Sequence, residues 1–397
     1  MQETATISRP RYDAVVVGAR CAGAATAMLL ARQGMSVLLV DRDRHGADTL
    51  STLALMRAGV LQLHRWGLLD RVRGAGTPPI TRTSFIYGDE ETVTVPIKSR
   101  DGVDALYAPR RTVLDALLAE EASNSGADVV YGPRLVDLER DADGRVAGAI
   151  LEERGGAVRR VEADIVIGAD GLRSTVARLV EAETYREGRH AGGVVYTFWP
   201  GLENGRSRWY YRSGVAAGAI PTNHGDACVF AAVPQARFHA EIRDDREAGY
   251  RRVLAECAPE LADEVAEKTP SERLRGFAGQ PGLMRRSHGP GWALVGDAGY
   301  FKDPITAHGI SDALRDAELL ARAVGRGSDR ALAEYESTRD ELSRELFEIT
   351  DTIAGFEWDL DRLKPLHLEL SKTMNHEVEA LLGLDAQAQP PQAGQAS

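Results

Sequence analysis

Cysteine is scarce: three residues in 397, at Cys21, Cys228 and Cys257. An odd, scattered set excludes a disulfide framework and fits a reducing compartment. It also lacks the clustered spacing of a zinc site, so no metal is expected. No apolar run reaches transmembrane length, so no membrane span is expected. The polar stretch Met1–Arg11 has no apolar secretory core, which makes a cytoplasmic location the expectation. Positive charge is in deficit: 48 basic against 59 acidic residues leave a formal net charge of −11. That balance argues against a nucleic-acid or anionic-membrane partner, because phosphate binding needs concentrated positive charge. What is present is ordinary globular composition, 43% apolar and 27% charged, over a length that supports two or three folding units.

The first forty residues carry a clear local pattern. Tyr12–Val17 (YDAVVV) is a valine-rich run bounded by Gly18, the mark of a buried parallel strand. Cys21–Gln33 is rich in alanine and leucine, hence helical, and Gly34 supplies its stop. Ser36–Val40 is a second buried strand, ending at Asp41. This strand–helix–strand unit has the size of a nucleotide-binding motif. Between strand and helix lies GARCAG, Gly18–Gly23. Gly18 suits the tight turn, and Gly23 suits close packing of helix on sheet. The third position, where glycine normally admits a pyrophosphate, is Arg20, whose guanidinium can hold a phosphate directly. Asp41, 23 residues beyond Gly18, stands where an acid accepts hydrogen bonds from an adenosine ribose. A structural strand–helix–strand unit without a ligand is the plainer alternative.

Two further turns repeat the theme. Ile165–Gly171 reads IVIGADG, a buried strand ending in a small-residue turn with an acid, followed by a helix from Leu172 to Leu179. Trp292–Ala298 reads WALVGDA, again strand then Gly-Asp. From Gly309 onward, Ile310, Ala313, Leu314, Ala317, Leu320 and Ala321 have helical spacing, and the N-terminus of that helix is an electron-poor site. Each turn by itself connects a strand to a helix. A lone nicotinamide cofactor needs one fingerprint, whereas three turns spread from Gly18 to Asp297 suit a larger cofactor crossing several strand ends.

Together these segments resemble a known family. GARCAG with Asp41, the GADGLRS turn and the LVGDA…DP…G segment are similar to the three FAD signatures of flavoprotein monooxygenases related to para-hydroxybenzoate hydroxylase. That superfamily includes geranylgeranyl reductases and flavin-dependent halogenases. The similarity runs from about Tyr12 to Val324; Tyr107–Leu118 (YAPRRTVLDALL) resembles the family's arginine-led helix, and Gly59–Val72 the helix before its substrate domain. The resemblance implies FAD as cofactor, with Arg20 and the Gly18–Gly23 loop at the pyrophosphate and Asp41 at the adenosine ribose. It implies that Arg111 anchors the FAD, with Arg110 the alternative. Asp170 and Gly171 belong to a turn implicated in both FAD and NAD(P)H binding. Asp297 accepts from the ribityl hydroxyls, and Pro304 and Gly309 frame the loop against the isoalloxazine. Cys21, Ala22, Arg42, Leu135, Gly296 and Ile310 complete the expected cofactor contacts.

The implied fold is α/β: an FAD-binding Rossmann-like domain of the glutathione-reductase type, with an inserted antiparallel β-sheet substrate domain and C-terminal helices. The FAD-binding domain takes residues 1–80, 101–185 and 285–335, and the substrate sheet takes 81–100 and 186–284. In those inserts Thr83–Ile97 and Gly192–Val233 alternate in the antiparallel manner, and Ala236–Glu267 has helical patterning. Residues 336–384 form a C-terminal helical segment, and 385–397 lack aliphatic mass and form a disordered tail. The substrate pocket is expected between that sheet and the flavin. Tyr211, Phe230, Tyr300 and His308 are its candidates, with core packing the alternative for the sheet aromatics. His308 and Pro304 are the candidate catalytic residues, His308 by proton transfer or by binding a substrate oxygen. A loop histidine bonded to backbone is the plainer role for His308. Lys302 and Asp303 read as an exposed local pair, and the pairs Arg42/Arg44 and Arg285/Arg286 as solvated, with contact to a nicotinamide cofactor's phosphates their alternative.

In this family NADH or NADPH reduces FAD, reduced flavin takes O2 to a C4a-hydroperoxide, and one oxygen atom passes to an aromatic or polyketide-like small molecule. The expectation is such a monooxygenase, as monomer or homodimer. An FAD-dependent reductase of isoprenoid double bonds is the first rival. A halogenase is the second, disfavoured because the chain lacks the W-x-W-x-I-P signature and its five lysines stand outside the context of the halogenase lysine. A non-catalytic flavin- or dinucleotide-binding regulator is a rival of another class.

Overall fold

Uninterrupted valine, leucine and isoleucine runs bury both faces of a strand, which a parallel sheet between helical layers permits. In the computed structural model, which describes residues 7–388 apart from 52, 90, 203 and 204, these runs build an eight-stranded sheet. Five of its strands run parallel in the order Trp292–Leu294, Val158–Gly168, Arg11–Val17, Val37–Asp41, Asp128–Tyr131. From Arg11–Val17 the chain moves outward one way and later returns on the other side. The order therefore reverses between Arg11–Val17 and Val158–Gly168. A crevice opens at such a reversal, outside the carboxyl ends of the strands. A meander, Arg134–Arg140 with Val146–Glu152, extends the sheet antiparallel beyond Val158–Gly168.

The first helix, Cys21–Arg32, buries Ala24, Ala25, Ala27, Met28 and Leu30 completely. Small side chains let it lie close to the helices Arg111–Asn124 and Gly309–Gly325. The segment expected as one helix, Gly59–Val72, is two: Arg57–Arg65 and Leu69–Gly74. Gly67 breaks it with a φ of +75°, a conformation that side chains other than glycine resist. The helix expected from Leu172 begins only at Thr175, where Ser174 caps it by accepting from the Ala177 N–H at 2.9 Å.

The second sheet has seven strands in the order Arg275–Phe277, Gly192–Pro200, Asp226–Pro234, Val215–Pro221, Arg206–Arg212, Arg82–Tyr87, Glu91–Pro96. Its pairs are antiparallel, as expected, with one exception. Arg206–Arg212 runs parallel to Arg82–Tyr87, so the sheet is mixed. The two strands enter from separate stretches of chain, and no hairpin turn ties their directions. Alternation sorts the side chains. Val195, Trp199, Tyr210 and Val229 face the helices Arg246–Cys257 and Pro259–Ala266. Tyr196, Phe198, Trp209, Tyr211 and Phe230 face the other way, against Ile349, Phe356, Trp358 and Leu363 of the C-terminal region.

Two long helices follow, Asp329–Ala354 and Leu360–Ala388. The expected tail from Asp385 is corrected to this extent: helix continues through Ala388, and 389–397 lie outside the described residues, as do residues 1–6. Among the described residues no helix is long and apolar enough to cross a membrane.

Candidate functional site

At the reversal point the strand ends Val17, Asp41, Gly168 and Leu294 stand side by side, and the chain must turn four times in little space. Glycine makes this possible. A Cβ on Gly18, whose φ is +107°, would lie 2.4 Å from the Ala169 carbonyl oxygen. A Cβ on Gly23 would lie 1.8 Å from the Gly18 oxygen. Gly23 thus packs the first helix onto the sheet. Gly296 does the same for the third turn, where a Cβ would come within 2.8 Å of Ala22 Cβ.

In front of these turns lies a cavity of about 530 Å³, of the size that holds cofactors. Gly18, Arg20, Cys21 and Ala22 line it from the first turn, with Asp41 and Arg42 from the second strand. Arg111, Leu135, Asp170, Gly171 and Asp297 line it further along. Tyr300, Pro304, Gly309 and Ile310 close one wall, and Val194, Tyr196 and Phe277 reach it from the second sheet. The expected cofactor residues other than Gly23 and Gly296 therefore share one space.

The polar groups there are incompletely satisfied. Arg20 Nη2 bonds Asp43 at 2.9 Å, while its buried Nη1 has no hydrogen-bond partner among the described residues. The Asp41 carboxylate accepts from the Ala19 N–H at 2.7 Å and from the Asp43 N–H at 2.8 Å, leaving lone pairs free. Arg111 grips Asp115 at 3.1 and 3.0 Å, and the Cys21 thiol donates to the same carboxylate oxygen at 2.9 Å. Burial, outweighing Arg111 in part, pushes the Cys21 thiol well up, so it stays protonated. Asp297 is exposed at the cavity while protein surrounds its other sides, and among the described residues its carboxylate accepts no hydrogen bond. Burial pushes it up to about 6, against Arg111 and Lys302. Asp170 differs: it accepts from Ser174 Oγ at 2.5 Å and from the Thr175 N–H at 2.6 Å, holding the start of the helix behind it. Gly171 and Gly309 have nothing within 4 Å of where a side chain would begin.

On the substrate side Tyr300 lines the cavity and Phe230 stays between the second sheet and the Pro304 turn, whereas the expectations for His308, Tyr211, Lys302 and Asp303 need correction. His308 is 1% exposed and does not line the cavity. Its Nε2 meets Glu377 Oε2 at 2.5 Å, because the C-terminal helix brings a carboxylate to it. Tyr211 sits in an aromatic stack, 5.7 Å from Tyr87 and 4.6 Å from His367 between ring centroids, away from the cavity. Phe230 borders a separate small apolar recess with Trp209 and Pro304. Lys302 and Asp303 are buried, at 6% and 3% exposed, and do not pair with each other. Lys302 Nζ touches Asp312 Oδ2. Asp303 accepts from the Gly192 N–H at 2.7 Å and the Ile305 N–H at 2.9 Å, which ties the Pro304 turn to the second sheet. Burial pushes Asp303 up to about 7 despite those donors. Arg110 is structural: it bonds Asp226 at 2.7 Å and Glu272 at 2.8 Å with its guanidinium 3.2 Å from the Phe198 ring centroid. Arg285 is half-buried, donating to the Ala298 carbonyl at 2.9 Å, so it is not a solvated arginine.

Sequence reasoning missed Asp115, Lys302, Asp312 and Glu377. Asp115 was within reach, since its four-residue spacing from Arg111 puts both on one helix face. Asp312 was within reach in the same way, three residues before Arg315 and four after His308, whereas Lys302 and Glu377 carry no local signal.

The FAD binding domain family matches residues 11–350. Among curated relatives, the digeranylgeranylglycerophospholipid reductase of Methanothrix thermoacetophila is 28% identical over 334 residues, covering 80% of this chain and 79% of its own. Among solved structures, the flavin-dependent brominase Bmp2 has a TM-score of 0.77 at 18% identity, covering 95% of this chain and 100% of that one. PqsL of P. aeruginosa, in complex with 2-aminobenzoylacetate, has a TM-score of 0.76 at 23% identity, covering 92% and 100%. At these identities the two structures share the fold.

Proposed function

This chain belongs to the FAD binding domain family and is an FAD-dependent oxidoreductase; from that premise we propose that it works as a monooxygenase. With NADH or NADPH as reductant, it inserts one oxygen atom of O2 into an aromatic or polyketide-like small molecule. The observation that carries this reading is that a single cavity joins the nucleotide-type turns to the second sheet. Its sheet-side wall is apolar, built by Val194, Phe277, Phe301 and Pro304.

The residues present fit an FAD. The orphaned Arg20 Nη1 suits the pyrophosphate, and the free lone pairs of Asp41 suit the adenosine ribose. The unpartnered Asp297 carboxylate suits the ribityl hydroxyls. The open space at Gly309 suits the ring, with the helix N-terminus behind it favouring negative charge. Bound there, FAD supplies two-electron reduction by a nicotinamide and reaction with O2. The chain's own part is to hold, orient and dry. Arg111, fixed by Asp115, keeps its charge at the cavity. Asp303 holds the Pro304 turn against the sheet. The apolar wall keeps water from the reacting oxygen. In this reading residues 81–100 and 186–284 form the substrate-binding unit.

A second reading, an isoprenoid double-bond reductase, is favoured by the 28% identical reductase relative. Turnover under labelled O2 separates the two. The oxygenase reading expects a yellow protein whose NAD(P)H oxidation rises with substrate and whose product carries one labelled oxygen. Anaerobic turnover to a saturated, unlabelled product refutes it and leaves the reductase.

A further inference from the structure

The proposed chemistry leaves one buried feature unused. Behind the wall to which Lys302 and Asp312 belong, six ionisable side chains meet, all of them buried. Arg315 Nη1 donates to Asp312 Oδ1 at 3.0 Å and to Glu377 Oε1 at 2.9 Å; its Nη2 donates to Asp316 Oδ1 at 2.7 Å. Lys302 Nζ is against Asp312, and His308 Nε2 against Glu377 at 2.5 Å. Glu377 arrives on the C-terminal helix, 62 residues beyond Arg315.

Three carboxylates face two cations here. With His308 neutral the cluster carries one net negative charge; with one more proton it is neutral. An uncompensated buried charge is costly, so the cluster has reason to bind that proton. The proton belongs to the coupled set, not to one residue. The other ionisable groups around it are Asp297 and Tyr300 before Lys302, and Tyr335 and Arg339 on the helix Asp329–Ala354. Burial lowers His308; burial, with Arg315 beside it, pulls Lys302 down to about 7 against the carboxylates of Glu377, Asp316 and Asp297. A metal is a poor fit. Atoms of His308, Asp312 and Glu377 lie within 4.8 Å of one another, but Arg315 bridges the two carboxylates and Lys302 occupies one of them.

We propose that this cluster takes up one proton when the flavin is reduced, so that reduction consumes two protons per two electrons. The proposal rests on the flavin reading above. A hydride from the reduced nicotinamide carries two electrons and one proton to the flavin, which leaves the ring anionic and the nicotinamide oxidised. The second proton comes from solvent to the cluster, where it offsets the new negative charge across the wall. Glu377 is thereby a positioning residue, acting through His308 and Arg315.

The test is a reductive titration of the FAD-loaded full chain, with free FAD alongside, between about pH 6 and pH 9, where perturbed histidine and lysine titrate. The expected slope of midpoint potential against pH is two protons per two electrons in the wild type, across the range in which free FAD shows one. Glu377→Gln removes the odd negative charge, so its slope falls to one proton and its midpoint rises at the alkaline end. Glu377→Asp restores the wild-type slope. His308→Asn removes the imidazole that shares the proton with Glu377 and so loses the slope by an independent route, which keeps the test open if Glu377→Gln folds poorly. A wild-type slope equal to that of free FAD, or an unchanged slope in both Glu377→Gln and His308→Asn, overturns the proposal and leaves the flavin reading standing. Wild-type protein that holds no FAD overturns that reading and the proposal with it.

Discussion

Gly309→Ala separates the site from the fold. Gly309 opens the helix Gly309–Gly325, and a Cβ built there finds no atom within 4 Å. The added methyl group therefore clashes with nothing among the described residues. Alanine is the better helix former by up to about 1 kcal/mol, and it also restricts the unfolded chain. Apoprotein stability should stay level or rise by as much as about 1 kcal/mol. The same methyl intrudes on space assigned to the cofactor. Forcing a group into an occupied, well-packed site costs about 1–3 kcal/mol. At about 1.4 kcal/mol per tenfold, FAD binding weakens roughly 5- to 150-fold. Denaturant unfolding of the apoprotein gives the first quantity, and quenching of FAD fluorescence on titration gives the second. An apoprotein destabilised by more than about 1 kcal/mol with FAD affinity untouched would refute the argument, because the space at Gly309 would then serve the fold.

Other substitutions probe the remaining contacts. Gly23→Ala drives a Cβ to within 1.8 Å of the Gly18 oxygen and should cost about 3 kcal/mol or more, read as a lowered urea midpoint or loss of soluble protein; a wild-type midpoint contradicts it. Arg20→Ala should weaken FAD binding by about 1.5–3 kcal/mol, the worth of a hydrogen bond to a charged group, with Arg20→Lys recovering only part; equal affinity for all three chains would remove Arg20 from the pyrophosphate site. Asp297 is raised to about 6 from an unfolded value of about 4, so its contribution to apoprotein stability is complete below about pH 4 and is lost as pH climbs through 6. Asp297→Asn should remove that decline, making the variant gain on the wild type as pH rises through this window; parallel pH–stability curves would contradict the shift.

The legible parts of the molecule were those whose cause is local. YDAVVV needs no partner to announce a buried strand, and GARCAG next to an alanine-rich run needs none to announce a tight turn into a closely packed helix. The strands of the second sheet were visible for the same reason, since alternation is written residue by residue. The direction of Arg206–Arg212 against Arg82–Tyr87 was not, because alternation looks the same in parallel and antiparallel pairs. The single helix expected over Gly59–Val72 missed its break because a lone glycine in a helical pattern is often tolerated.

The corrections on the substrate side share one physical origin. Lys302 and His308 stand in a glycine- and proline-punctuated loop, in which Lys302 reads as exposed and His308 as facing the flavin. Their burial depends on Asp312, Arg315 and Glu377, and Glu377 comes from a helix 69 residues past His308. Local pattern sets backbone conformation and the face a side chain takes, because those energies are settled among near neighbours, and so the first strand–helix–strand unit, the three glycine turns and the alternating strands of the second sheet could be worked out from the chain alone. Where a charge ends up, and with what partner, is settled by desolvation and Coulomb energy between segments far apart in sequence. Only the folded chain, by laying the C-terminal helix over the cavity wall, decided that an apparent surface lysine and a candidate catalytic histidine belong to a buried cluster of paired charges.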